Sequence, residues 1–180
     1  MISVYNKLSE TDLNMRKREI LDQYIKLIQW GRANPVHFIK EIFNIELMDY
    51  QKFVFLNSWA AQKSVWLNSR NTGKSFLSSL YAYTRACLVP LSLEYIMGPT
   101  ARQSKETFDK LEKIVTKKIP SLLGTSEMLA REVIPSGPSK SGFIQNAMEC
   151  HCELYNGSMI YSLVGEGKNI VGKINCPIAA

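Results

Sequence analysis

Cysteine is scarce in this sequence: Cys87, Cys150, Cys152 and Cys176 are the only four in 180 residues. That is too few for a disulfide scaffold and fits a reduced, intracellular setting. Histidine is scarcer still, with two. A zinc site would therefore have to be built around Cys150-His151-Cys152, and no second ligand pair lies at zinc spacing. Strand alternation accounts for the cluster instead. Met148, Cys150, Cys152 and Leu154 fall on one face, and Glu149, His151 and Glu153 on the other, so the thiols are expected to pack as small hydrophobes. No apolar run approaches the roughly 18 residues that cross a membrane. The N-terminus, MISVYNKLSETDLNMRKREIL, lacks the uninterrupted apolar core and small-residue cleavage site of a secretion signal. Repeats and low-complexity segments are absent as well.

What is present suits a globular protein with a core. Hydrophobic residues make up 46% and charged residues 21%, and the length fits one domain with a small lobe attached. The net charge is +6, from 22 Lys and Arg against 16 Asp and Glu. That balance favours a polyanionic partner, nucleic acid or nucleotide, although many modestly basic domains bind neither. The basic run Arg16-Lys17-Arg18 is a candidate contributor; on a helix such a run is more often a solvated face.

Apolar spacing predicts a helix over residues 9–31, with Ser9 and Asp12 as capping candidates and Leu13, Ile20, Leu21, Tyr24, Leu27 and Ile28 on one face. Asn34-Pro35 breaks it, and a short helix restarts over 35–43 with proline in its first turn. A third helix is expected from Asp49 to Gln62. The pattern then changes: Ser64-Val65-Trp66-Leu67 reads as a buried strand, 74–88 as a helix, and Leu91 to Met97 as a second strand. Thr100 caps a helix from Ala101 to Lys118 with Phe108, Leu111, Ile114 and Val115 on one face. Strand, helix, strand, helix is the signature of a parallel sheet flanked by helices. Pro135, Gly137, Pro138 and Gly142 mark a loop. Phe143 to Tyr155 and Ser158 to Val164 then form an extended pair joined at Asn156-Gly157, a type I′ hairpin signal. Ile174 to Ala180 is a candidate last strand.

Residues 65–79, VWLNSRNTGKSFLSS, carry the chemistry. Gly73-Lys74-Ser75 is the tail of a phosphate-binding loop, but Asn68 stands where the full pattern has its first glycine. Asparagine tolerates positive φ better than most residues. In such a loop Gly73 lets the backbone approach the anion, Lys74 reaches the β- and γ-phosphates, and the Ser75 hydroxyl sits on Mg²⁺. Arg70 could stabilise charge that develops in phosphoryl transfer, or simply contact phosphate or solvent. A bare Gly-Lys-Ser arises often by chance, so the strand and helix expected around it carry the weight.

Ser69-Arg70-Asn71-Thr72-Gly73-Lys74-Ser75 resembles the deviant Walker A motif of large terminase subunits, the DNA-packaging ATPases of tailed bacteriophages, whose loop often lacks the first glycine. Asn34-Pro35-Val36-His37-Phe38 and Leu47-Met48-Asp49-Tyr50-Gln51 resemble that family's lead-in, in which a Tyr-Gln pair contacts adenine. Tyr95 to Ser104 resembles the strand-to-helix segment that follows the loop. Glu153 to Ser158, then Gly167-Lys168-Asn169-Ile170-Val171-Gly172, resembles the hairpin and Gly-rich loop before the Walker B strand. The likeness covers roughly residues 34–173.

The resemblance implies an α/β P-loop NTPase of the RecA or helicase-like kind. Its parallel sheet would be flanked by helices, with a helical lead-in over 1–48 and an ATPase core over 49–180 that is incomplete at its C-terminus. It implies ATP and Mg²⁺ held by Tyr50, Gln51, Ser69, Arg70, Asn71, Thr72, Gly73, Lys74 and Ser75, with Arg70 and Lys74 catalytic and Ser75 on the metal. The partners it implies are double-stranded DNA, a portal protein, the small terminase subunit and further copies of the chain, in the host cytoplasm and away from membranes. The family's next element is an apolar strand ending in Asp-Glu. Here Ile174 to Ala180 carries no acid, so the isolated chain is expected to bind ATP and hydrolyse it at background. Two alternatives stay open: a helicase-like P-loop ATPase outside packaging, and a non-catalytic remnant of the fold.

Overall fold

The computed structural model describes residues 15–67, 69, 72–98, 100–116, 128–137, 140–146 and 150–164. Helix α1 spans Met15–Ala33. Its apolar stripe docks only in part: Ile28 is buried and Tyr24 and Leu27 half-buried, while Ile20 and Trp30 face solvent. Ser9, Asp12 and Leu13 lie outside the described residues. Helix α2, Pro35–Phe43, begins on proline, whose missing N–H costs nothing in a first turn. It buries Phe38, Ile39 and Phe43 and ends on Asn44 in the left-handed region, whose N–H donates to the Ile39 carbonyl. Helix α3, Asp49–Ala60, turns Phe55 and Ser58 inward. The Phe55 ring meets Tyr81 at 5.1 Å.

Helix α4, Lys74–Leu88, is the centre of the core. Leu77, Leu80, Tyr83, Ala86 and Leu88 are at most 1% exposed, and a fully buried large apolar side chain contributes about 1.5–3 kcal/mol. The Tyr83 ring lies 5.8 Å from Phe43, which joins the helical lead-in to this core. Strand β1, Leu93–Gly98, follows α4. Helix α5, Ala101–Val115, is capped by Thr100, whose Oγ1 accepts the Gln103 N–H at 3.3 Å. Phe108, Leu111, Ile114 and Val115 are all buried, as their spacing predicts. A single helical turn, α6, covers Met128–Arg131.

Strands β2 (Phe143–Gln145), β3 (Cys150–Glu153) and β4 (Met159–Val164) complete a four-stranded sheet in the order β1-β4-β3-β2. β1 and β4 run parallel, with Leu93 opposite Met159 and Gly98 opposite Val164; β4, β3 and β2 form an antiparallel meander. Among the described residues the protein is therefore α/β with a mixed sheet, in which the expected parallel arrangement holds for the β1–β4 pair. Ile160, Ser162, Cys150, Cys152 and Phe143 occupy the helix-covered face, where Phe143 meets Phe108 of α5 at 5.7 Å. On the other face Tyr95 stacks on Tyr161 at 5.7 Å, and His151 lies tilted against Tyr161 at 5.6 Å, a row across three strands. Cys150 and Cys152 are buried, with His151 half-buried and Glu153 exposed, as alternation predicts.

Three expectations are corrected. The stretch Phe143 to Tyr155 is not one extended arm, because β2 and β3 within it pair antiparallel with each other. Residues 64–67 form no strand: Trp66 packs edge-on to Tyr81 at 6.0 Å and donates from Nε1 to Ser58 Oγ, while Val65 and Leu67 are 85% and 92% exposed. The indole pins this segment to α3 and α4, away from the sheet, and among the described residues β1 pairs with β4 alone. The hairpin at Asn156-Gly157 is not type I′, because only Gly157 has positive φ (79°). The Gly157 N–H donates to the Leu154 carbonyl and the Leu154 N–H to the Ser158 carbonyl. This is a three-residue loop with a left-handed glycine. Asn156 is thereby released to point inward, where Nδ2 donates to the Ala86 and Cys87 carbonyls at 2.8 and 3.2 Å.

Candidate functional site

Gly73 is the residue immediately before α4 and lies in the left-handed region, φ 75° and ψ 23°. Its carbonyl accepts the Leu77 N–H, starting the helix. A left-handed residue followed by a right-handed helical one turns successive N–H groups toward one point, a concavity that suits an anion. It opens at the positive end of the α4 dipole. Only glycine takes this conformation without strain, and a Cβ here would also stand 3.3 Å from Gln51 Nε2. Lys74 is exposed and Ser75 half-buried on the first turn. Thr72 Oγ1 donates to the Ser69 carbonyl at 3.0 Å, drawing the described part of the loop together. Asn68, Arg70 and Asn71 lie outside the described residues.

The sheet and helices place this concavity. The α4 C-terminus is held at the hairpin by Asn156 and by Ser158 Oγ on the Val89 carbonyl (2.9 Å), and to α1 by Arg32 Nε on the Leu88 carbonyl (2.6 Å). α4 therefore runs antiparallel to β1. Ser79 Oγ lies 2.7 Å from the Ser75 carbonyl and 3.0 Å from the Thr107 carbonyl, so the first turns of α4 lie beside α5. Gly98 packs against the first turn of α5, where a Cβ would stand 2.7 Å from Ser104 N. The N-termini of α4 and α5 thus meet at the edge where β1 and β4 end, the edge at which open α/β sheets receive ligands.

Tyr50 and Gln51 are brought to the same loop by the first turn of α3. Tyr50 Oη donates to the Thr72 carbonyl at 2.8 Å. Gln51 Nε2 donates to Tyr50 Oη at 3.3 Å, and Gln51 Oε1 accepts the Met48 N–H at 3.1 Å. The sequence places the pair before the loop; the bond to Thr72, 22 residues along the chain, leaves no signal in spacing.

Acids are distributed differently. Glu153 is paired with Met159 at the start of β4, the edge opposite the loop. Glu149 and Glu166 lie outside the described residues. Among the described residues no group of three His, Cys, Asp or Glu could hold a metal. Burial pushes the Cys152 thiol up to about 12, which makes it an inert core group. Nor is any described helix long and apolar enough to cross a membrane. No protein-family model matches the sequence, and a search of the curated proteins finds no significant match.

Proposed function

We propose that residues 69–75 bind the phosphates of a nucleotide, and that the chain is the ATP-binding part of a terminase-type DNA-packaging motor. The observation that carries the phosphate reading is the left-handed Gly73 at the open N-terminus of α4, directly before Lys74 and Ser75. The donor set fits the group: converging backbone N–H groups and a lysine complement phosphate oxygens, and the Ser75 hydroxyl is a suitable ligand for an accompanying Mg²⁺. The placement of Tyr50 and Gln51 against the loop supports the reading further. Identification with a packaging motor rests on the ordered resemblance of residues 34–173, and so do double-stranded DNA, a portal protein and a small terminase subunit as partners. The net charge of +6 is compatible with a DNA partner.

Titration calorimetry of Mg-ATP against the wild-type chain and Lys74→Ala tests the site. Loss of a charge-assisted contact to phosphate should weaken binding at least tenfold. Equal affinity in the two proteins would remove Lys74 from the site.

A further inference from the structure

We propose that Tyr50 and Gln51 act as positioning residues that hold the phosphate loop in its binding shape, and do not read the nucleotide base. The inference rests on the nucleotide reading above and assigns a different role to two of its residues. Its basis is a directed chain of hydrogen bonds. The Met48 N–H donates to Gln51 Oε1, Gln51 Nε2 donates to Tyr50 Oη, and Tyr50 Oη donates to the Thr72 carbonyl, at 3.1, 3.3 and 2.8 Å. The phenol accepts one bond and gives one, and the amide accepts one at Oε1 and gives one from Nε2, so the three bonds run in a single direction. Gln51 is 8% exposed. Its amide is turned into the protein and engaged at both ends, an unsuitable state for pairing with an adenine edge.

The link to phosphate is the peptide plane. The Thr72 carbonyl and the Gly73 N–H belong to one planar trans peptide, so they point in opposite directions. Fixing the carbonyl on Tyr50 Oη fixes the Gly73 N–H, the first of the N–H groups that converge ahead of α4. Glycine at 73 makes this plane easy to rotate, because both neighbouring regions of φ are open to it. The tyrosine bond supplies the constraint that the glycine lacks. The amide of Gln51 lies against Gly73, 3.3 Å from where a Cβ would stand, and orients the phenol.

The test compares Mg-ATP, Mg-GTP and inorganic tripolyphosphate by calorimetry, with wild-type protein, Tyr50→Phe and Gln51→Leu. Tyr50→Phe removes a single oxygen from a side chain that is 44% exposed, so the fold should survive; thermal unfolding checks both variants. The expected result is an affinity loss of about fivefold or more, equal for all three probes, at unchanged melting temperature in Tyr50→Phe. Gln51→Leu should lose affinity in the same base-independent way. A loss confined to Mg-ATP would overturn the proposal, since the pair would then read the base. So would unchanged affinity for all three probes. Failure of the wild-type chain to bind any probe would instead defeat the nucleotide reading itself, and this inference with it.

Discussion

Glu94 shows how much one side chain can depend on where the sheet places it. It lies on the helix-covered face of β1, 18% exposed, with Oε1 3.3 Å from Arg85 Nε. Burial pushes its carboxyl up to about 7, against the opposing pull of Arg85 and the Ser92 hydrogen bond. The folded protein therefore keeps a proton that the unfolded chain releases near 4.5. The stability this group contributes is fully present below about 4.5 and is lost as pH rises toward 7. Glu94→Gln should flatten the pH dependence of stability across that window and make the protein more stable at pH 8. Each unit of separation between folded and unfolded values corresponds to about 1.4 kcal/mol. Urea unfolding at pH 5, 6, 7 and 8 measures both effects. Glu132 is also raised by burial and acts in the same direction in wild type and variant, so the difference between them reports on Glu94. At this scale the sequence was informative for Cys150 and Cys152, because alternation alone assigns a face. It was silent on Glu94, whose Arg85 partner sits on another element.

Among the elements, those with their own punctuation were legible. Pro35 starts α2 and Thr100 caps α5, so both begin where the sequence predicts, and α4 spans the expected 74–88. These signals are local and survive packing. Residues 64–67 carry no such signal. Three apolar residues in a row look alike whether they enter a sheet or lie against helices, and here Trp66 finds Tyr81 and Ser58 while its neighbours face water. Asn156-Gly157 was legible as a turn but not as a cap. Asn156 is 4% exposed, and besides its two bonds to α4 its Oδ1 accepts the Ser158 N–H at 3.0 Å. Asn156→Ala leaves the Ala86 and Cys87 carbonyls without this donor and should cost about 2–3 kcal/mol. Asn156→Asp should cost at least as much, because it sets an oxygen against two carbonyl oxygens. Urea denaturation of both variants checks this; a loss under about 0.5 kcal/mol in each would show that the α4 C-terminus needs no such cap.

Among the described residues, neither β1 nor β4 closes on an acid at the edge where the proposed phosphate-side groups come together. Gly73, Lys74 and Ser75 were legible because a short motif fixes their order. Their placement beside α5 and below Tyr50 depends on contacts between distant segments. Phosphoryl transfer to water needs more than a cradle: it needs a held metal and an oriented nucleophile. Glu153, the described acid of the β3–β4 hairpin, stands at the far edge of the sheet. Beyond Glu166 the sequence contains no Asp or Glu through residue 180. Glu94 faces the α4 C-terminal half through Arg85, not the loop. The 180-residue chain is therefore expected to bind Mg-ATP and release phosphate at the rate of the buffer control. A phosphate-release assay, run on wild type and Lys74→Ala in parallel, measures it. Turnover in the wild type that Lys74→Ala abolishes would mean that an acid outside the described residues, Glu149 or Glu166, reaches the loop edge, or that a neighbouring copy supplies one. Addition of purified chain at increasing concentration separates those two cases, because only the second makes the specific activity rise with concentration.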